Sequence, residues 1–154
     1  MKITSKAFRQ GELIPKLYTC EGYDWNPPLE FSGVPPEAKS LALIMEDPDV
    51  PESIRANRLW VHWVVYDIPP TTKKIDEHSP SPGTNGSGTN GRTAYMGPCP
   101  PDREHRYFFK LYALDGFFDF PKGMTKEEVE AKIEGHILAK AELMGRYVLQ
   151  GRKK

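Results

Sequence analysis

Asp47, His62, Cys99, His105 and Tyr107 are the residues of this chain whose types and placing could do chemistry. The stretch MGPCPPDREHRY (96–107) is stiff, because each proline fixes φ near about −65° and removes a backbone donor. It ends on His105 and Tyr107, either side of Arg106. In MEDPDVP (45–51), Asp47 and Asp49 bracket Pro48 where an apolar run stops. Two carboxylates at i and i+2 of extended chain point to one side. His62 sits inside the apolar run LWVHWVV (59–65), where alternation puts Trp60 and Val64 on its own face and Val61 and Trp63 on the other. A buried imidazole must find a hydrogen-bond partner, since leaving one unmade costs roughly 1–3 kcal/mol.

Anion binding is the chemistry these groups suggest together. A carboxylate beside a histidine raises its pKa and favours the cation, so Asp47 near His62 is expected to hold an imidazolium. Tyr107 and the Cys99 N–H would donate to the anion, Cys99 being the one residue between Pro98 and Pro101 with a backbone donor. A rigid prolyl wall lowers the ordering cost of binding. The competing chemistry is hydrolysis in the same pocket, either by general acid–base work of the Asp, His and Tyr side chains or with Cys99 as nucleophile and His105 as base. No GxSxG elbow, metal-ligand spacing or cofactor fingerprint is present, so no metal or cofactor is expected. His78 and His136 read as structural or solvated.

The elements that must position these groups are mostly strands. SLALIMED (40–47), WVHWVVYDI (60–68) and RYFFKLYALD (106–115) are apolar, too short for typical helices, and the first two are ended by Pro48 and Pro69. One helix is signalled by a capping box of Thr125 and Glu128, with Val129 and Ile133 on one face and Gly135 as its stop. Beyond it, Ala139, Ala141, Leu143, Tyr147 and Leu149 recur at even spacing between polar residues, which predicts a final strand. Residues 69–94, with GTNG at 83–86 and 88–91, read as a long mobile turn and not as a P-loop.

At 154 residues a single domain is expected. Lys plus Arg and Asp plus Glu are both 21, which argues against a nucleic-acid partner. No apolar run is long enough for stable membrane insertion, no secretory signal is visible, and a cytoplasmic location is the default. Cys20 and Cys99 are then expected as free thiols, although a pairing between them stays open. The terminal GRKK (151–154) reads as a solvated basic tail.

The chain resembles the phosphatidylethanolamine-binding protein family, the Raf-kinase-inhibitor-like proteins, in its bacterial and archaeal branch. IPKLYTCEG (14–22), PPLEFSGVP (27–35), KSLALIMEDPDVP (39–51), LWVHWVVYDIP (59–69), YMGPCPPDREHRYFFKLYALD (95–115) and GHILAKAELMGRY (135–147) carry the likeness, in family order. The resemblance implies a mainly β fold, antiparallel sheets packed as a sandwich-like core with one or two short peripheral helices. It also implies a shallow site for phosphate-type anions, with Asp47, His62, Cys99, Pro100, His105 and Tyr107 as ligand-binding residues. Asp49, Trp60, Tyr95, Gly97 and Pro101 would form a secondary lining. The implied partner is a small phosphorylated or carboxylated ligand, with a regulatory or inhibitor role toward a protein partner and a homodimer as further expectations. The arm between Pro101 and His105 is shorter than in eukaryotic members, with Arg103 at its rim, and the chain ends soon after its last strand. Kinase regulation and lipid binding are therefore not expected to carry over.

Overall fold

A computed structural model describes residues 1–151; residues 152–154, most of the basic tail, lie outside the described residues. The strands are β1 (Lys2–Thr4), β2 (Leu29–Ser32), β3 (Ser40–Asp47), β4 (Trp60–Ile68), β5 (Lys74–Ile75), β6 (Thr84–Asn85), β7 (His105–Leu114) and β8 (Ile137–Tyr147). The helix α1 spans Lys126–Ile133, and a single 3-10 turn spans Lys16–Tyr18. A five-stranded sheet runs β6-β4-β3-β7-β8 and a three-stranded one β1-β2-β5, with every neighbouring pair antiparallel. This is the mainly β, two-sheet architecture expected.

β3 is buried at all eight positions because both of its faces are covered. Leu41, Leu43 and Met45 pack with Ile3, Leu29 and Phe31 of the small sheet, whereas Ala42 and Ile44 pack with Met124, Val129 and Ile133 of the helical layer. That double burial is why SLALIMED reads as a continuous apolar run and not as an alternation. β7 does alternate: Tyr107, Phe109, Leu111 and Ala113 enter the inter-sheet core. The period-two reading of the last segment holds, since β8 pairs with β7 from His105↔Tyr147 to Leu114↔Ile137. The capping box also forms, with the Glu128 N–H donating to Thr125 Oγ1 and the Thr125 N–H to Glu128 Oε1.

β4 departs from plain alternation in a way that matters for the site. Met45 pairs with Trp63 but Glu46 with Val61, so His62 is one residue too many for its partner strand. Such a bulge re-aims the side chain beside it. Val61 and Val64 consequently share the helical face, and Trp63 and Val65 the inter-sheet core. The expected pairing of His62 with Val64 on one face is corrected accordingly. A second irregularity near Asp67, whose φ is 52°, lets its carboxylate accept the N–H groups of Phe118, Asp119 and Phe120.

Two further expectations change. Residues 69–94 are not a free turn, because they contribute β5 and β6 and run along β4 through Gly86 N–H to Val64 O and Thr89 N–H to Val61 O. Gly86 makes that approach possible, as a Cβ there would collide with the Met124 carbonyl oxygen and with Val64. Gly86→Ala is therefore expected to destabilise by about 1–3 kcal/mol, read as a lower urea midpoint at unchanged m. Cys20 and Cys99 are not free thiols but a disulfide, the fold bringing their Cα atoms to 5.5 Å, within bonding range. Among the described residues no helix is long and apolar enough to cross a membrane.

Candidate functional site

At the ends of β3 and β7 and the start of β4 lies a cavity of about 250 Å³, lined by Asp47, Val50, Ile54, Trp60, His62, Met96, Cys99, Pro100, Pro101, His105 and Tyr107. A larger hollow of about 450 Å³ is lined by Trp25, His78, Ala94 and Tyr95. The smaller one is where Asp47, His62, His105 and Tyr107 converge.

Chain geometry explains the convergence. His105 and Tyr107 are two apart on β7 and so share a face. The pairing Glu46↔Phe108 sets Asp47 next to that face. Asp47 Oδ2 lies 2.6 Å from His105 Nδ1, and Asp47 Oδ1 accepts the Asp49 N–H at 2.7 Å. The expected Asp47–His62 partnership is thus replaced by Asp47–His105. His105 Nε2 is spent as well, 2.7 Å from Asp102 Oδ1 of the proline arm. A neutral imidazole donates only once, so two carboxylates on one ring require an imidazolium or a proton held on a carboxyl. Burial pushes the Asp47 carboxyl up from its ordinary pKa, against the opposing pull of its His105 hydrogen bond.

His62 is neutral. Burial drives its pKa from 6.5 down to about 4, with the nearby His105 adding to the drop and the hydrogen bond to Met96 opposing it. Its Nδ1 sits 2.7 Å from the Met96 carbonyl, which only accepts, so Nδ1 carries the proton and Nε2 a lone pair. The expected imidazolium at this position is corrected to an imidazole. The sign of the linkage follows: between pH 6.5 and about 4 the unfolded chain binds the proton and the folded chain does not. This stability, roughly 3 kcal/mol, is present above pH 6.5 and lost as pH falls toward 4. Urea denaturation at both ends of that window should show the loss, and His62→Gln should remove most of it.

Among the described residues, Trp60 Nε1 on the cavity lining is buried without a hydrogen-bond partner, and the Tyr107 hydroxyl is buried beside the Asp47 carboxylate. Tyr107 is fully buried, edge-on to His62 at 5.3 Å, and its pKa lies well above the ordinary tyrosine value through burial, then the Asp47 charge and a hydrogen bond toward that carboxylate. Unsatisfied buried donors are rare enough in folded proteins to need a reason, and a ligand is one. Val50, Ile54 and Met96 complete the apolar part of the lining. They were not anticipated; the apolar residues of VPESI, directly after the DPD turn, were the available signal.

Three expected lining residues lie elsewhere. Asp49 turns outward to a bidentate pair with Arg106 at 2.8 and 2.9 Å, which lowers its pKa. The physical reason is that the chain turns at Pro48, so the i, i+2 rule for extended backbone does not reach Asp49. Tyr95 donates to the Tyr18 carbonyl at 2.8 Å, and the Gly97 N–H donates to Asp24 Oδ1 at 2.8 Å. Both sit behind the wall, tying the 95–99 arm to the 18–24 loop alongside the Cys20–Cys99 bond. Arg103 reaches Asp49 O at 3.2 Å and Asp102 at 3.6 Å on the rim. His78 stacks on Trp25 and His136 pairs with Asp115, both away from the cavity. The disulfide consumes the thiol that a Cys99 nucleophile would need. Among the described residues no three His, Cys, Asp or Glu groups are arranged to hold a metal ion.

The model of the phosphatidylethanolamine-binding protein family matches residues 4–148. A UPF0098 protein of Chlamydia muridarum is 50% identical over 147 residues, covering 96% of this chain and 98% of its own. The crystal structure of a phosphatidylethanolamine-binding protein homologue from Chlamydia trachomatis superposes with a TM-score of 0.95 at 48% identity, over 97% of each chain. That of E. coli YbcL, described as a member of the mammalian PEBP family, gives 0.85 at 28% identity over 97% of this chain and 98% of its own. With the fold, the bulged β4 and the proline arm in place, this chain belongs to the phosphatidylethanolamine-binding protein family.

Proposed function

We propose that the cavity bounded by Asp47, His62, Cys99 and Tyr107 binds the oxyanion head of a small ligand, a phosphoryl or carboxyl group. The observation that carries this reading is the convergence of Asp47, His62, His105 and Tyr107 with the prolyl wall at Cys99 on one cavity. Trp60 Nε1 and the Cys99 N–H, the one backbone donor of its prolyl run, add to the donor set. The family's name refers to a phospholipid whose headgroup carries a phosphoryl group, which agrees with that donor set. Ile54, about half exposed at the mouth, leaves room for the group to be free or presented on a larger partner, including a protein that the binding regulates. Hydrolysis is the weaker reading, because Cys99 is bonded to Cys20 and His105 is held between two carboxylates.

Calorimetric titration with inorganic phosphate tests the proposal. Tyr107→Phe should weaken binding about 5- to 30-fold while lowering stability by no more than about 1 kcal/mol, the net worth of the one hydrogen bond the hydroxyl makes toward Asp47 in the free protein. Equal phosphate affinity in the variant and the parent would contradict the assignment.

A further inference from the structure

The cavity offers hydrogen-bond donors and also one fixed acceptor, and that acceptor restricts what can enter. His62 Nδ1 is committed to the Met96 carbonyl, so the ring cannot turn its N–H toward the cavity without stranding that carbonyl. Nε2 takes no partner among the described residues, and His62 lines the cavity. The groups around the ring are Tyr107, edge-on at 5.3 Å, the Met96 backbone, and the Asp47–His105 pair. Among the described residues, no lysine or arginine lines the cavity. Arg106 is spent on Asp49, and Arg103 on Asp49 and Asp102. The second lining imidazole, His105, already lies between Asp47 and Asp102.

Resting on the oxyanion reading above, we infer that the site selects oxyanions that still carry a proton, such as a phosphonate or phosphate monoester in its monoanionic form, over oxyanions of the same charge that have none. The ligand's O–H donates to His62 Nε2, while its unprotonated oxygens accept from the Tyr107 hydroxyl and the Cys99 N–H. An anion without a proton places a lone pair against the Nε2 lone pair, or must bring a proton to the ring. With the ring's pKa near 4, that second route costs about a hundredfold at pH ~6. Discrimination by a buried polar group left unpaired is strong for this reason, and methylene-sized differences give less.

Methylphosphonate and methanesulfonate form the test pair. Near pH ~6 both are chiefly monoanions of nearly the same shape, and only the phosphonate bears a proton. Titration of the whole protein, followed by calorimetry and by the ¹⁵N resonance of His62 Nε2, should show the phosphonate binding at least about tenfold more tightly. It should also move the Nε2 resonance in the direction of a nitrogen accepting a hydrogen bond. His62→Gln, whose amide can present either an oxygen or an N–H, should bring the two affinities close together. Equal binding by the unaltered protein would overturn the selectivity and leave the oxyanion site standing. Retention of the tenfold preference in a folded His62→Gln protein would overturn the role given to His62. Failure of both ligands to bind at millimolar concentration would instead remove the oxyanion site itself.

Discussion

Reduction of the Cys20–Cys99 bond is expected to lower stability by about 4 kcal/mol. The two cysteines are 79 positions apart, and closing a loop of that length removes roughly 4.5 kcal/mol of unfolded-chain entropy, within a measured range of about 2–5. That is a large share of the roughly 5–15 kcal/mol by which a domain is stable. For a chain of this size the melting temperature should fall by about 10 °C. The effect reaches the cavity too, since Cys99 is part of its wall and Cys20 fixes that wall to the 18–24 loop. Its link to the 18–24 loop would then rest on hydrogen bonds such as those of Tyr95 and Gly97 and Cys20 N–H to Pro98 O. Thermal melts with and without reductant, with free thiols counted in each, measure this directly. Cys20→Ala serves as the control because Cys20 is not a lining residue. An unchanged melting temperature at full reduction would contradict the role given to the bond.

Asp47→Ala is expected to cost about 3–5 kcal/mol, because it strips one partner from a fully buried, hydrogen-bonded ionisable pair. It leaves His105, which is fully buried, without its inner carboxylate, and it leaves the Asp49 N–H without its acceptor. His105→Phe should cost a similar amount on its own. The double variant should cost clearly less than their sum, because each single change already removes the shared interaction. A cycle closing within about 0.5 kcal/mol of additivity would mean that the 2.6 Å contact is not an energetic pair.

Much of the scaffold was legible because it depends on local pattern. β3 and β4 fall where apolar runs end at proline, β7 and β8 where period two holds, and α1 where Thr125 and Glu128 cap it. All six residues expected to contact a ligand line one cavity, since strand ends and a prolyl arm can be read from sequence. The electrostatic wiring was not legible. Which histidine meets Asp47 depends on the β3–β7 register and on the extra residue in β4, and a bulge leaves no mark in an apolar run. The disulfide depends on two loops 79 positions apart meeting in space, which two isolated cysteines do not announce. Residues 69–94 looked like a loose turn because glycine suits both a flexible chain and a close backbone approach, and Gly86 serves the second.

A crystal of this protein soaked in inorganic phosphate tests the cavity most directly. The expected result is phosphate in the cavity, with its oxygens within about 3 Å of the Tyr107 hydroxyl and the Cys99 N–H and one oxygen facing His62 Nε2. Phosphate bound only outside the cavity, or a cavity still empty of phosphate at saturating concentration, would contradict it.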